Sequence, residues 1–172
     1  MNMKMKEEIV LSIQNFRLPS YQEIPDVGLY LDQVTKYISE YLAPLEDMVL
    51  TNSMISNYVK KGIVQNPVKK QYFRDQIAYL IFISIAKTVL SLEDIHLFVQ
   101  IQKQTYTTQV AYDYFVAEFE NVLSYIFGLK DTVDVVGVDD TDEKAMLRNM
   151  IITVAHKIYL DKCFSRLHKE EN

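Results

Sequence analysis

The fold is decided by residues 51–93, TNSMISNYVKKGIVQNPVKKQYFRDQIAYLIFISIAKTVLSLE, because a short helix, a lysine-rich loop and a second helix are predicted to follow one another there. Between Asp47 and Asp75 the sequence contains no acidic residue. The same window contains five cations, namely Lys60, Lys61, Lys69, Lys70 and Arg74. Removing these five from the net charge of −5 leaves −10 on the rest of the chain. The five cations attract phosphate groups to this window, while the net negative charge of the whole chain opposes indiscriminate binding.

The composition favours an all-α fold. A chain of 172 residues suits one domain, or a small domain with an appendage, and can bury a core without metal or disulfide bonds. Apolar residues make up 49% of it, with four glycines, four prolines and no tryptophan, which favours long helices over many short strands. The single cysteine, Cys163, cannot form an intramolecular disulfide, and no signal peptide is recognisable, so a cytoplasmic protein is expected. The longest apolar run, 77–86, is too short for a membrane segment.

Capping residues predict the helices on either side of the lysine-rich loop. Thr51, Asn52 and Ser53 are good N-cap residues for a short helix through Lys61, and Gly62 follows where a left-handed C-terminal cap is favoured. The stretch 63–73 contains a proline and is predicted to be an extended loop or a small hairpin-like wing. A central helix is predicted over 74–89, apolar on two sides, and Ser91 is predicted to cap the next helix.

The flanking segments are predicted from the same signals. Before the window, an amphipathic helix is expected to start at Asp26 or Gly28, after a proline-containing connector over 18–26. After the window, two helices are predicted on either side of an acidic loop over 130–143, with Asp140 capping the last one. The first of these two helices has an apolar surface too wide for a solitary exposed helix.

Three segments carry a family resemblance: SMISNYVKKGIV (53–64), NPVKKQYFRDQIAYLIFI (66–83) and LSLEDI (90–95). Together they resemble the DNA-binding domain of MerR-type regulators, in which a recognition helix ending in glycine is followed by a basic wing and a helix. The run over about 18–100 is also similar to an uncharacterised family of Firmicutes proteins that carries this MerR-like module. The resemblance implies an N-terminal segment over 1–19, a winged helix-turn-helix domain over 20–103, and two long C-terminal helices over 104–172.

The resemblance also implies a set of DNA-binding residues. Ser56, Asn57 and Tyr58 fall where MerR proteins have an arginine and two tyrosines, and Lys70 falls where they have the wing arginine. Only Tyr58 is retained, so DNA contact is expected to be weaker or differently organised. Asn57 is the candidate for contact with an adenine edge. The candidates for the DNA backbone are Ser56, Tyr58, Lys60, Lys61, Lys69, Lys70 and Arg74.

These observations predict a DNA-binding transcriptional regulator of the MerR-like type that binds double-stranded DNA. A homodimer is expected, because DNA readers of this kind commonly match a two-fold operator. The competing hypothesis is a protein-interaction module on a helix-turn-helix scaffold that no longer reads DNA. A cluster of aromatic residues in the C-terminal part favours core packing or a dimer seam over a pocket for a small effector: Tyr106, Tyr112, Tyr114, Phe115, Phe119, Tyr125 and Phe127.

Other chemistries find little support in the sequence. The three histidines are scattered, and His156 with Cys163 is the only pair that shares a helix face, so no metal site is expected. The acidic loop lacks the spacing and central glycine of a calcium loop. No glycine-rich phosphate loop, glycine-flanked serine nucleophile or paired-histidine motif occurs. Catalytic residues and cofactors are therefore not expected, and the protein is predicted not to be an enzyme.

Overall fold

A computed structural model describes residues 3–46, 48–137 and 140–170. These residues form seven α-helices, two short 3-10 helices and one small antiparallel sheet, which confirms the all-α prediction at the level of fold class. None of the helices described is long and apolar enough to cross a membrane. The helices are α1 Met3–Leu11, α2 Leu31–Leu42, α3 Asn52–Lys60, α4 Arg74–Ala86, α5 Leu92–Thr105, α6 Thr108–Ile126 and α7 Asp142–Glu170, and the strands are β1 Leu29–Tyr30 and β2 Gln71–Tyr72.

Helix α4 is the centre of the fold. Ten of its 13 residues are buried, including the hydroxyl-bearing Ser84, whose Oγ donates to the Leu80 carbonyl. A helix that is apolar on all sides is stable only when other elements surround it. Helices α2, α6 and α7 pack against α4, and α5 contacts it through the stacked rings of Phe98 and Phe82. The predicted helix over 74–89 ends earlier, at Ala86, because Val89 and Leu90 turn back and donate their amides to the Ala86 carbonyl.

A short strand replaces the predicted start of α2. The helix begins at Leu31, not at Asp26 or Gly28, because Leu29 and Tyr30 pair with Tyr72 and Gln71. Gly28 makes this pairing possible, since a Cβ atom there would lie 2.7 Å from the Cβ atom of Gln71. The strands place the hairpin that follows α3 beside the start of α2.

The N-terminal residues form a helix that the sequence patterns did not predict. Helix α1 contacts α7 and buries Met5 and Ile9. The connector over 18–26 is then held against α6 by three hydrogen bonds, one of which the Tyr112 hydroxyl donates to the Pro19 carbonyl at 3.0 Å. The Leu18 amide donates to Glu120 Oε1 at 2.7 Å, and the Tyr21 amide donates to Asp113 Oδ1 at 2.8 Å. The hydrophobic core continues from α1 to Cys163 on α7 as one cluster.

Helices α6 and α7 run parallel to each other, although they are consecutive in the chain. After α6, residues 127–137 return along it, where Asn121 Nδ2 donates to the Asp134 carbonyl at 2.8 Å. The direction follows from three contacts whose residue numbers rise together: Lys144 over the Tyr114 ring at 5.3 Å, Arg148 Nε to Glu118 Oε1 at 3.0 Å, and the Tyr159 ring against the Phe127 ring at 5.3 Å.

The start of α7 differs from the prediction. The helix begins at Asp142, and Thr141 Oγ1, not Asp140, accepts the hydrogen bond from the Lys144 amide at 3.3 Å. Threonine is a preferred N-cap residue for the same reason as aspartate, since either side chain supplies an acceptor for a free amide. Residues 138 and 139 of the acidic loop lie outside the described residues, and its acids Asp131, Asp134 and Asp140 are exposed.

Candidate nucleic-acid interface

Helix α3 has an exposed polar face. Ser53, Ser56, Asn57 and Lys60 are spaced three and four residues apart, so they lie on one side of the helix, and all four are exposed. The opposite side is buried through Ile55 and Tyr58. The outward face therefore combines small hydroxyl groups, one amide and one ammonium group, all of which can donate hydrogen bonds.

The first turn of α3 is fixed by local capping and by α2. Thr51 Oγ1 accepts a hydrogen bond from the Met54 amide at 3.2 Å, as predicted for an N-cap residue. Asn52 then bridges to α2: its Oδ1 accepts from Thr35 Oγ1 and its Nδ2 donates to Asp32 Oδ1, both at 2.5 Å. These contacts set the angle between α2 and α3, and therefore the direction of the exposed face.

The C-terminal end of α3 turns directly into the lysine-rich loop. Gly62 has a φ of 73°, the left-handed conformation that the sequence predicted for it. The Ile63 and Val64 amides both donate to the Tyr58 carbonyl, at 3.0 and 3.3 Å. The base of the loop is fixed by the buried Gln76 of α4, whose Nε2 donates to the carbonyls of Gln65 and Asn66 at 3.0 and 3.1 Å.

The loop is a tight hairpin with two lysines at its tip. Val68 and Gln71 exchange two backbone hydrogen bonds, of 3.0 and 2.9 Å, across the two-residue turn formed by Lys69 and Lys70. Both lysines are exposed and have positive φ angles, 50° and 66°. A turn of this kind normally has Asn-Gly at these positions, and a left-handed backbone costs a residue with a side chain roughly 1–2 kcal/mol. The hairpin therefore holds two ammonium groups outward at some cost in backbone strain.

Two of the predicted cations already have partners within the protein. Arg74 is half-buried: its Nε donates to the Ile24 carbonyl at 2.8 Å, and its guanidinium lies 5.5 Å from the Tyr21 ring centroid and 3.8 Å from Asp26 Oδ2. Lys61 Nζ lies 3.2 Å from Glu93 Oε1 in an exposed ion pair. Within the residues that the structure describes, Lys60, Lys69 and Lys70 form no ion pair.

Tyr58 lies in the core and not on the polar face. Its side chain is only 3% exposed, and burial raises the pKa of its hydroxyl. The predicted set therefore divides by position. Ser56, Asn57, Lys60, Lys61, Lys69 and Lys70 are on the surface, whereas Tyr58 and Arg74 make contacts that hold α3 and the N-terminal connector in place.

Lys87 is a positioning residue that the sequence patterns did not identify. Its Nζ donates to the Val49 carbonyl at 2.7 Å, which ties the end of α4 to the segment just before α3. Burial lowers the pKa of Lys87. No local signal could have found it, because the lysine and its acceptor lie 38 residues apart.

The side chains that could bind a metal ion are dispersed over the described part of the chain. Among the described residues, no three His, Cys, Asp or Glu side chains lie together in an arrangement that could hold a metal ion. His156 is exposed while Cys163 is buried, so the one pair considered for a shared helix face is divided between solvent and core.

Comparison with known proteins gives one match. A family model described as "Domain of unknown function (DUF1836)" matches residues 19–115, which is more than half of the chain. The match begins in the connector, includes α2 to α5 and ends within α6. No curated protein and no solved structure matches the chain.

Proposed function

The chain belongs to the DUF1836 family, and we propose that it is a DNA-binding transcriptional regulator of the MerR-like type. In this proposal α2 and α3 act as a helix-turn-helix pair, and the hairpin over 68–72 acts as the wing. One observation carries the proposal: Lys69 and Lys70 are held outward at the tip of a strained hairpin that follows an exposed polar helix face. Strained backbone is concentrated at functional sites, where the surrounding structure maintains it.

The surface residues have separate roles in the proposal. Asn57 pairs with an adenine edge in the major groove, since an asparagine amide matches the donor and acceptor of that base. Ser56 and Lys60, on the same face of α3, contact phosphates beside it, and Lys69 and Lys70 contact the backbone from the wing. Lys61 contributes by exchanging Glu93 for phosphate, because an exposed ion pair stabilises the fold only slightly and is easily broken.

The proposal also covers where the protein acts and how it assembles. The protein acts in the cytoplasm as a homodimer through its C-terminal helices, so that two copies of α3 meet a two-fold operator. Exposed apolar residues on α7 support an interface there, since Leu160 and Phe164 are 53% and 56% exposed one helical turn apart.

Fluorescence anisotropy tests the proposal. Purified protein is titrated against labelled fragments from its own genome at several salt concentrations. Saturable binding to a subset of fragments is expected, with an affinity that falls steeply as salt rises, because bound lysines displace counterions from DNA. The double variant Lys69→Ala with Lys70→Ala should reduce the slope of log affinity against log salt by about 2.

The matched control removes two lysines from elsewhere. Lys4 and Lys6 on α1 are exposed, so Lys4→Ala with Lys6→Ala changes the net charge equally without touching the proposed interface. This control should leave the salt slope unchanged. Absence of binding at low salt would overturn the proposal, and equal slopes for the two double variants would overturn the role of the wing.

The second candidate function is a protein-interaction module on the same scaffold. It is favoured by Ser56, which stands where MerR-type proteins have a recognition-helix arginine, and by the apolar surface at Leu160 and Phe164. Salt distinguishes the two functions. An apolar protein interface depends on buried area and responds weakly to salt, whereas DNA binding weakens steeply.

A further inference from the structure

Three spaces meet at one half-buried side chain, Phe98 of α5. A small void of about 40 Å³ lies between α4, α5 and α6, a cavity of about 520 Å³ lies between α5, α6 and α7, and an open groove of about 800 Å³ lies between α5 and α7. Phe98 lines all three. All three spaces are partly open to solvent, so Phe98 lies where clefts between the helices meet.

The middle space, which we call the Phe98 cavity, has the size and lining of a small-molecule site. Such sites usually occupy about 300–1,000 Å³ and are lined by apolar and aromatic side chains with a few polar groups. The apolar lining residues of the Phe98 cavity are Phe98, Tyr106, Val110, Ala111, Tyr114 and Leu147. Three helices supply these walls, so the space suits a small molecule better than a protein segment.

Two polar side chains of the cavity, Gln102 and Glu143, already form hydrogen bonds with neighbours. Gln102 is buried: its Nε2 donates to the Tyr106 carbonyl at 2.8 Å, and its Oε1 accepts from the Tyr79 hydroxyl at 3.3 Å. Glu143 Oε1 accepts from Thr105 Oγ1 at 3.1 Å. A ligand that needs many hydrogen bonds would have to break these contacts, whereas an apolar ligand would leave them intact.

The aromatic lining narrows the class of ligand further. Phe98 stacks against Phe82 with ring centroids 5.9 Å apart, and Tyr114 lies beneath Lys144, whose Nζ is 5.3 Å from the ring centroid. Ring faces and edges in such a lining favour other aromatic rings through offset or edge-to-face contacts. We propose that the Phe98 cavity binds an uncharged, apolar aromatic molecule. This inference does not depend on the proposed DNA binding.

A pair of alanines on α6 provides the test. Ala111 lines both the cavity and the small void, while Ala117 on the same helix is exposed and lines neither. The probe is N-phenyl-1-naphthylamine, an uncharged aromatic compound whose emission rises in apolar surroundings. The full-length protein and the Ala117→Phe variant should bind it saturably at one site. The Ala111→Phe variant should bind at least tenfold more weakly, because the new ring fills the cavity.

Thermal unfolding of each variant is measured alongside binding. If Ala111→Phe does not fold, Ala111→Leu and Ala117→Leu make the same comparison with a smaller side chain. Failure of the full-length protein to bind the probe saturably would overturn the proposal. Equal affinity of a folded Ala111 variant and its Ala117 control would also overturn it, since the probe would then occupy another surface.

Discussion

Lys162 Nζ lies 2.8 Å from Glu46 Oε1, which joins helix α7 to the turn that precedes α3. The lysine side chain is 1% exposed and the glutamate side chain is 40% exposed. Glu46 has a φ of 62°, and a positive φ is uncommon for a residue other than glycine. Arg166 Nη1 lies 3.8 Å from the same carboxylate oxygen. The C-terminal helix therefore holds the turn that determines where α3 begins.

Removing Glu46 should lower the free energy of unfolding more than removing Lys162. Glu46→Gln leaves a buried ammonium group without its counter-charge, and we expect the free energy of unfolding to fall by about 2 kcal/mol. This is less than the roughly 3–5 kcal/mol of a fully buried pair, because Glu46 is partly exposed. Lys162→Met leaves a carboxylate that water can solvate, so we expect a change within about 1 kcal/mol.

Urea unfolding followed by circular dichroism measures both variants. Glu40→Gln on α2 is the control, since Glu40 is exposed and forms no ion pair among the described residues. A Lys162→Met variant less stable than Glu46→Gln would show that the lysine contributes mainly through packing of its aliphatic chain.

The same pair should make stability depend on pH. The hydrogen bond from Lys162 is the largest cause that lowers the pKa of Glu46 in the folded protein. A lowered folded pKa adds stability above the unfolded value of about 4.3, and this stability is lost as the pH falls through the folded pKa. The difference in unfolding free energy between the natural protein and Glu46→Gln should therefore be constant above about pH 6 and shrink below pH 4. A difference independent of pH would exclude the ion pair as its source.

The sequence predicted correctly those helix ends that depend only on residues close to them in the chain. The caps at Thr51 and Ser91 and the left-handed Gly62 were correct, because each depends on a side chain or backbone conformation within three residues of the helix end. The central position of α4 was also correct, since its composition requires burial whatever surrounds it. Strand β1 was not predicted, because two residues are too few to show a strand period.

Long-range contacts explain the remaining differences. The burial of α1 depends on α7, which lies at the other end of the chain. Arg74 was predicted to contact the DNA backbone because it lies in the basic window of the resembling module, whereas its Nε donates to the carbonyl of Ile24, 50 residues away. The parallel arrangement of α6 and α7 depends on the return of residues 127–137 along α6, and this segment carries no periodic signal. The sequence therefore showed where the cations lie along the chain, but it could not show which of them form contacts within the protein.

The hairpin tip should become more stable when its turn residues suit the backbone. Asparagine and glycine adopt positive φ more readily than lysine, so Lys69→Asn with Lys70→Gly should raise the free energy of unfolding by about 1 kcal/mol. Part of the gain is offset by the greater freedom of glycine in the unfolded chain. Lys69→Ala with Lys70→Ala keeps the unfavourable backbone and should leave stability nearly unchanged.

Comparison of these two double variants separates strain from charge. Both remove the same two charges, so both should weaken DNA binding equally while they differ in stability. Urea unfolding gives the stability, and anisotropy at fixed salt gives the affinity. If the Asn-Gly variant were no more stable than the alanine variant, the positive φ angles of Lys69 and Lys70 would not strain the hairpin.

Arg74 should affect folding more than DNA affinity. Arg74→Lys keeps the positive charge but loses the Nε hydrogen bond to Ile24 and the planar contact with the Tyr21 ring. We expect a loss of about 1–2 kcal/mol in unfolding free energy, with an unchanged salt slope for DNA. If Arg74→Lys lost DNA affinity while its unfolding free energy stayed unchanged, Arg74 would instead contact DNA.

Asn57 should determine sequence preference, since it is the one amide on the exposed face of α3. Asn57→Ala removes the paired donor and acceptor that match adenine, at a cost of about 1–3 kcal/mol against the preferred site. Binding to unrelated DNA depends on phosphate contacts and should change little, so the ratio of specific to non-specific affinity should fall about tenfold or more. Ser53→Ala, on the same face one turn earlier, is the matched control and should keep the ratio. The measurement is competition anisotropy between a selected fragment and random DNA, and an unchanged ratio in Asn57→Ala would exclude this residue from base contact.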